Sequence, residues 1–254
     1  MDYIDKFKLV YERQKEKIPR KIAKYEKSGL PANPINFYSF LSGTLETIAI
    51  GDYILHDDIN SYKNNLYNAS KAYIKAVNFF DTNKVLESSG LMSMISYREL
   101  LRAVASDSSN AINNIANLMG GRDKIDITDI DEFTYHWGYA LKYIALNEHD
   151  KALKHLDKID DTEMQMYVDY LYSIIKKDHT MAMKNIQSVI THQKNNNAVK
   201  GTPYELLSVT VIALAKLGLK NHIDISVDDK IAPKELILIK NDTDYSLNKI
   251  LLIN

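Results

Sequence analysis

Apolar residues recur at helical spacing along most of the chain. Between residues 35 and 56, Phe37, Phe40, Leu41, Thr44, Leu45, Ile48 and Ala49 follow the i, i+3, i+4 rule that gathers side chains on one helix face. A second helix is expected from about Asp58 to Phe80, with Tyr62, Leu66, Ala69, Tyr73, Ala76 and Val77 on one side. Ahead of both, residues 3–27 carry a sparser stripe of Ile4, Phe7, Tyr11 and Ile18 among many Lys and Glu, which reads as a helix with a broad solvated face. The run SGLPANP at 28–34 separates it from the next helix, because Gly closes a helix and proline cannot continue one. Two more helical segments fill Asn83 to Met119. They are split by SDSSN at 106–110, whose short polar side chains can cap the second.

A second strong break, GGRDKIDITDIDE at 120–132, divides the chain into an N-terminal helical subdomain, 1–120, and a C-terminal helical-hairpin subdomain, 121–254, packed on it as one structural unit. Thr128 or Asp129 is expected to cap the following helix, with Asp131 and Glu132 favourable in its first turn. Beyond the break the sequence repeats. Residues of YALKYIALNEHDKALKHLDKI (139–159) match residues of YLYSIIKKDHTMAMKNIQSVI (170–190) at a shift of 30, pairing Leu141 with Leu171, His149 with His179, Ala152 with Ala182 and Leu156 with Ile186. Each copy reads as helix, tight polar turn, helix, with a small Ala where the two helices must approach. This is the αα-hairpin logic of tetratricopeptide-like arrays, at a spacing shorter than their usual ~34 residues. Two copies cannot stand alone, so the pair must pack on its neighbours.

A polar loop at 191–203 leads into YELLSVTVIALAKLGL (204–219), a buried core helix with Gly218 near its end. The tail, 220–254, is richer in β-branched residues and holds Pro233, so it is expected as an extended arm or a short strand pair. The fold class is therefore all-α, a multi-helix array of αα-hairpins with a short extended C-terminal tail.

Composition supports this picture. The chain has 254 residues, ample for a core, and only 9 Gly and 5 Pro to interrupt helices. A net charge of −1 lacks the basic footprint of a nucleic-acid binder. The absence of Cys excludes disulfides, Cys-ligated zinc and thiol chemistry. The N-terminus is charged throughout, without the apolar core of a signal peptide, and no run approaches about 18 consecutive apolar residues. A cytoplasmic protein without a membrane span is expected.

Candidate chemistry is sparse. None of the 7 histidines forms HExxH or joins a Cys/His cluster. His149 and His179 occupy equivalent turns of the repeat; two exposed turn residues is the simpler reading, a shared metal or partner site the sharper one. His136 and Glu132, and His56 with Asp57 and Asp58, would be the candidates if scattered residues assembled an active site, although helix boundaries explain the latter group. Asp129 and Asp131 could pair as acid and base, but capping explains them better. Gly120–Gly121–Arg122 is a lone diglycine, too weak a signal for a phosphate loop. No catalytic, cofactor or metal site is read from the sequence. Trp137, the only tryptophan, is most simply a core anchor beside Ala140, Leu141 and Ile144; exposed, it would be a binding hot spot.

One charge feature stands out. Residues 123–163 hold eleven Asp and Glu against five Lys, clustered in DKIDITDIDE and DKIDDTE at the ends of the first repeat. A solvated acidic edge is the plain reading. The sharper reading is a docking surface for a basic partner, formed by Asp126, Asp129, Asp131, Glu132, Asp157, Asp160 and Asp161, with Trp137 near it.

Three segments resemble the immunity protein 49 family, an all-helical group encoded beside bacterial polymorphic toxins: HWGYALKYIALNEHDKALKHLD, YLYSIIKKDHTMAMKNIQSVITHQK, and the closing LAKLGLKNHIDISVDDKIAPKEL. The resemblance spans about residues 130–237. It implies a protein that binds and neutralises a cognate toxin by occluding it, with no catalytic residues of its own. A helical-repeat scaffold or regulator without a toxin partner is the alternative that the repeat supports equally well.

Overall fold

A two-residue link sets the first long helical pair. Asp57 closes α2 (Ile35–His56) in left-handed backbone at φ 53°, and Asp58 opens α3 (Ile59–Asn83) by accepting the Ser61 N–H at 2.9 Å. The chain thus reverses abruptly, and α2 packs along α3 through Leu41, Leu45 and Ile48 against Leu66, Ala69, Tyr73 and Val77, all buried. The computed structural model describes residues 3–85, 90–122, 131–239 and 244–253.

α1 (Tyr3–Ser28) lies on α2, anchored by the fully buried Tyr11. Its ring sits over Gly51, where a Cβ would come within 2.1 Å of it, and its hydroxyl donates to Asp52 at 2.6 Å. Asn65 of α3 donates to the other Asp52 oxygen at 2.7 Å, so one carboxylate ties three helices together. Burial raises the Asp52 carboxyl, while Tyr11, Lys15 and Asn65 pull it back down.

After a 3₁₀ turn at Met94–Ser96 come α4 (Tyr97–Ser106) and α5 (Ser109–Leu118). Ser108, within the polar run expected to cap the second of these, accepts the Ala111 N–H. Then follow α6 (Glu132–Ala145), α7 (His149–Leu156), α8 (Gln165–Lys176) and α9 (His179–Asn195). α6 packs on α7 and α8 on α9, and the aligned residues Ala152 and Ala182 are both fully buried. The short α10 (Pro203–Leu206) precedes α11 (Val209–Lys220), which is buried along most of its length and rests on α4. α12 (Lys234–Ile237) is a single turn in the tail. The fold is all-α. Among the described residues the only β pairing is an isolated bridge between Asp229 and Ala232, and no helix is long and apolar enough to cross a membrane.

The core holds a buried ion triad. Asp107, in left-handed backbone at φ 69° where α4 ends, receives a hydrogen bond from Lys216 of α11 at 2.5 Å. Its other oxygen lies 2.5 Å from Lys63 of α3, in an ion pair without hydrogen-bond geometry. All three side chains are fully buried. Burial pulls the Lys216 ammonium down to about 8, against the opposing pull of Asp107.

The tail is an arm rather than a strand pair, and it is packed down. Ile223, Ile225 and Val227 are buried beside the hairpin turns, and Ile250 and Leu251 are buried further on. Residues 244–253 run along α3. Asn64 accepts the Ser246 N–H at 2.9 Å, and Asn68, one turn later, accepts the Asn248 N–H at 2.7 Å while donating to the Ser246 carbonyl at 2.9 Å. Tyr245 stacks on Tyr67 at 4.6 Å and its hydroxyl donates to the Ser106 carbonyl. Lys249 pairs with Glu26 of α1.

Three expectations are corrected. Phe40, assigned to the core stripe, is 72% exposed, because it shares with Gly43 a face of α2 that nothing covers. Ile4, assigned to the first helix's stripe, is also exposed. The cap of α6 is Asp131, which accepts the Thr134 N–H at 2.7 Å, instead of Thr128 or Asp129, which lie outside the described residues.

Candidate functional site

The α6–α7 hairpin brings Asp131 and Glu132, the described end of the first acidic run, to the same end as the second run. His136, one turn into α6 after Glu132, touches His155, two residues before Asp157. Asp131, Glu132, Asp157 and Asp160 are exposed there, with Asp161 half-buried and Lys158 among them. Several of these carboxylates serve local structure. Asp131 caps α6, and the Thr134 N–H holds its carboxyl below the usual range. Asp161 accepts the N–H groups of Glu163 and Met164 at 3.0 and 3.2 Å, shaping the turn into α8. Asp157 accepts the Tyr172 hydroxyl, which burial and that carboxylate push up to about 12. Glu132, its side chain 84% exposed, and Asp160 remain open for a partner. Asp126 and Asp129 lie outside the described residues.

Behind this edge sits a histidine pair. The rings of His136 and His155 are wrapped by Tyr135, Tyr139 and Tyr143, with Tyr139 stacked on His155 at 4.7 Å. Burial lowers both imidazoles, His155 to about 4; His155 is lowered further by His136, and both by the charge of Lys158. Glu132 lies 4.0 Å from His136 and pulls the other way.

Next to the acidic end opens a pocket of about 340 Å³, walled by Trp137, Tyr167, Tyr97 and Tyr204. Trp137 is 3% exposed, the core anchor that its spacing with Ala140, Leu141 and Ile144 predicts and not an exposed hot spot; one side of it nevertheless faces this pocket. Phe133 stacks on one side of the indole, and Tyr167 meets it edge to face at 5.9 Å. Gln193 donates to the Tyr167 hydroxyl at 2.7 Å and so fixes that wall. Met164, whose N–H is held by Asp161, lies on the rim and joins the pocket to the acidic end.

The floor is ionic. Arg102 of α4 donates to Glu46 of α2 at 2.6 Å, to Ser42 at 2.9 Å and to Glu99. Ser42 donates to Glu99 at 2.7 Å and Tyr204 to Glu46 at 2.7 Å. Burial works against the charge on Arg102, but Glu46 and Glu99 outweigh it and keep the guanidinium protonated. None of the residues on this floor is singled out by a motif. Their sequence signal is a lone charge inside an apolar helical run, Glu46 in LETIAI and Arg102 in LLRAVA.

The other sequence candidates are not brought together. His149 is hydrogen-bonded to Asn221 at 2.9 Å, and His179 accepts the Asp224 N–H at 3.2 Å, so each turn histidine fastens the start of the tail; His149 is half-buried rather than exposed. His56, Asp57 and Asp58 form a helix boundary, with the His56 ring against Tyr11. Gly120 takes φ 71° beneath Tyr139, and Arg122 pairs with Asp81 at 2.5 Å. Among the described residues no group of three or more His, Asp or Glu could hold a metal ion. Compared with protein-family models, curated proteins and solved structures, the chain matches none.

Proposed function

We propose that the chain is a bacterial immunity protein that binds a cognate toxin and neutralises it by occlusion, performing no catalysis itself. The observation that carries this reading is the acidic group at one end of the α6–α7 hairpin, where Asp131 and Glu132 open α6 and Asp157 and Asp160 follow α7, with Glu132 and Asp160 held out in solvent. Such an edge raises the encounter rate with a basic toxin domain and fixes its orientation by charge complementarity. The resemblance over residues 130–237 supports the same assignment and covers this hairpin. The protein would act in the cytoplasm, where a toxin reaches its target.

The test is rescue of growth. A toxin gene adjacent to the gene for this chain is expressed with and without it. Cells survive only when the chain is co-produced, and a tagged chain retains the toxin on a column. Death of cells that contain abundant soluble chain would refute the assignment.

A further inference from the structure

We propose that the aromatic pocket is a binding site for a small planar anion, a ring bearing a carboxylate or phosphate. The ring is called for by the walls. Trp137, Tyr167, Tyr97 and Tyr204 come from four helices to surround about 340 Å³, the size range of small-ligand sites. Trp137 and Tyr167, nearly buried and held by Phe133 and Gln193, form a rigid back wall, and the more exposed rings of Tyr97 and Tyr204 are left to flank a ligand.

The acid group is called for by the charges. The lining carries two guanidinium groups, Arg98 and Arg102, against one carboxylate, Glu46. Glu46 is already engaged by Arg102 and Tyr204, and Arg102 is further matched by Glu99 behind it. Arg98 is different. It is exposed at the pocket, lies 6.0 Å from the Tyr97 ring centroid, and has no carboxylate partner among the described residues. The first turn of the 12-residue α11 lines the same pocket through Val209 and Thr210. Their amide N–H groups have no intrahelical acceptor, and the Ser208 hydroxyl is committed to the Val211 N–H. The positive end of that helix adds to the field of Arg98. A cationic ligand is repelled, a neutral ring leaves Arg98 unmatched, and an anionic ring satisfies walls and charge together.

The pocket does not depend on the toxin reading. The probes are phenylacetate and phenyl phosphate, with phenylacetamide and phenethylamine as the neutral and cationic counterparts of the same ring. Trp137 is the only tryptophan, so its indole N–H gives a single signal in a ¹⁵N-correlated spectrum of the full chain. At least one of the two acids is expected to move that signal saturably, binding at least about tenfold tighter than the amide or amine. Arg98→Gln is expected to erase that tenfold while leaving amide binding unchanged, and Arg98→Lys to retain part of it. No saturable movement with either acid, equal binding of all probes, or an undiminished preference in Arg98→Gln would each overturn the site. Failure of growth rescue with intact acid binding would remove the toxin reading alone.

Discussion

The Nδ1 atoms of His136 and His155 lie 3.0 Å apart, so the two rings can share only one proton along that line. One ring donates and the other accepts, so the accepting ring carries no proton on its Nδ1. Protonating both forces two donors together inside a cage of tyrosine rings.

A pH dependence follows. The folded-state pKa of both rings is depressed, so the unfolded chain binds more protons as pH falls below its own histidine range. The contribution of the pair is fully present above about pH 6.5 and is lost as pH falls toward about 4. The melting temperature is expected to drop between about pH 7 and pH 5, where ordinary carboxylates still carry their charge. His155→Phe is expected to flatten that drop. Parallel pH profiles for the two proteins would rule out this account.

The Lys63–Asp107–Lys216 triad places two buried ammonium groups on one carboxylate. Asp107→Asn keeps a residue that tolerates the φ of 69° but strands both cations, with an expected cost of about 3–5 kcal/mol in chemical denaturation. Lys216→Met leaves one cation to one anion and is expected to be neutral or stabilising by about 1 kcal/mol or more. A larger loss from Lys216→Met than from Asp107→Asn would reverse the assignment of surplus positive charge.

Two glycines of α2 are expected to behave in opposite ways. Ala at position 51 drives its Cβ into the Tyr11 ring and parts α1 from α2, costing about 1–3 kcal/mol or more. Ala at position 43 meets nothing within 4 Å and removes backbone freedom from the unfolded chain, for a gain of about 0.5–1 kcal/mol. Denaturation midpoints of the two variants, measured side by side, check both signs.

On the acidic edge, Glu132→Lys with Asp160→Lys is expected to slow association with the toxin by about tenfold or more at low salt and to flatten its salt dependence. Neither residue caps a helix, but Glu132 lies in the first turn of α6, so a stability loss of about 1 kcal/mol or less is expected, too small to unfold the chain. An unchanged association rate, measured by stopped flow, would move the interface elsewhere on the surface.

What the sequence disclosed and what it hid divide along physical lines. Periodicity located the helices because burial acts on every turn, as in the Leu41, Leu45 and Ile48 row. It misplaced Phe40 because spacing alone cannot tell which of two adjoining faces a neighbour will cover. Asp131 took the capping role from Thr128 and Asp129 because the helix begins later than the first available cap. The acidic runs were visible, but the approach of Asp131 and Glu132 to Asp157 and Asp160 depends on how α7 folds back beside α6. Trp137 was legible as a core residue. The pocket it lines was not, because Arg98, Tyr204 and Gln193 meet across long stretches of chain with no periodicity in common. The tail read as extended, yet its docking on Asn64 and Asn68 leaves no trace in an apolar pattern, since side-chain amides make those contacts to the main chain.

That amide-held tail has a consequence for how this sequence can change over time. Asn64 and Asn68 grip the main chain of residues 246 and 248, whatever side chains those residues carry. Leu247 and Leu252 face solvent, while Tyr245, Ile250, Leu251 and, in part, Ile253 bury side chains or ring faces that fix where the segment sits. The closing segment therefore follows a rule of position more than of identity. Relatives could replace most of its letters and keep the same latch, provided two asparagines one turn apart on α3 persist.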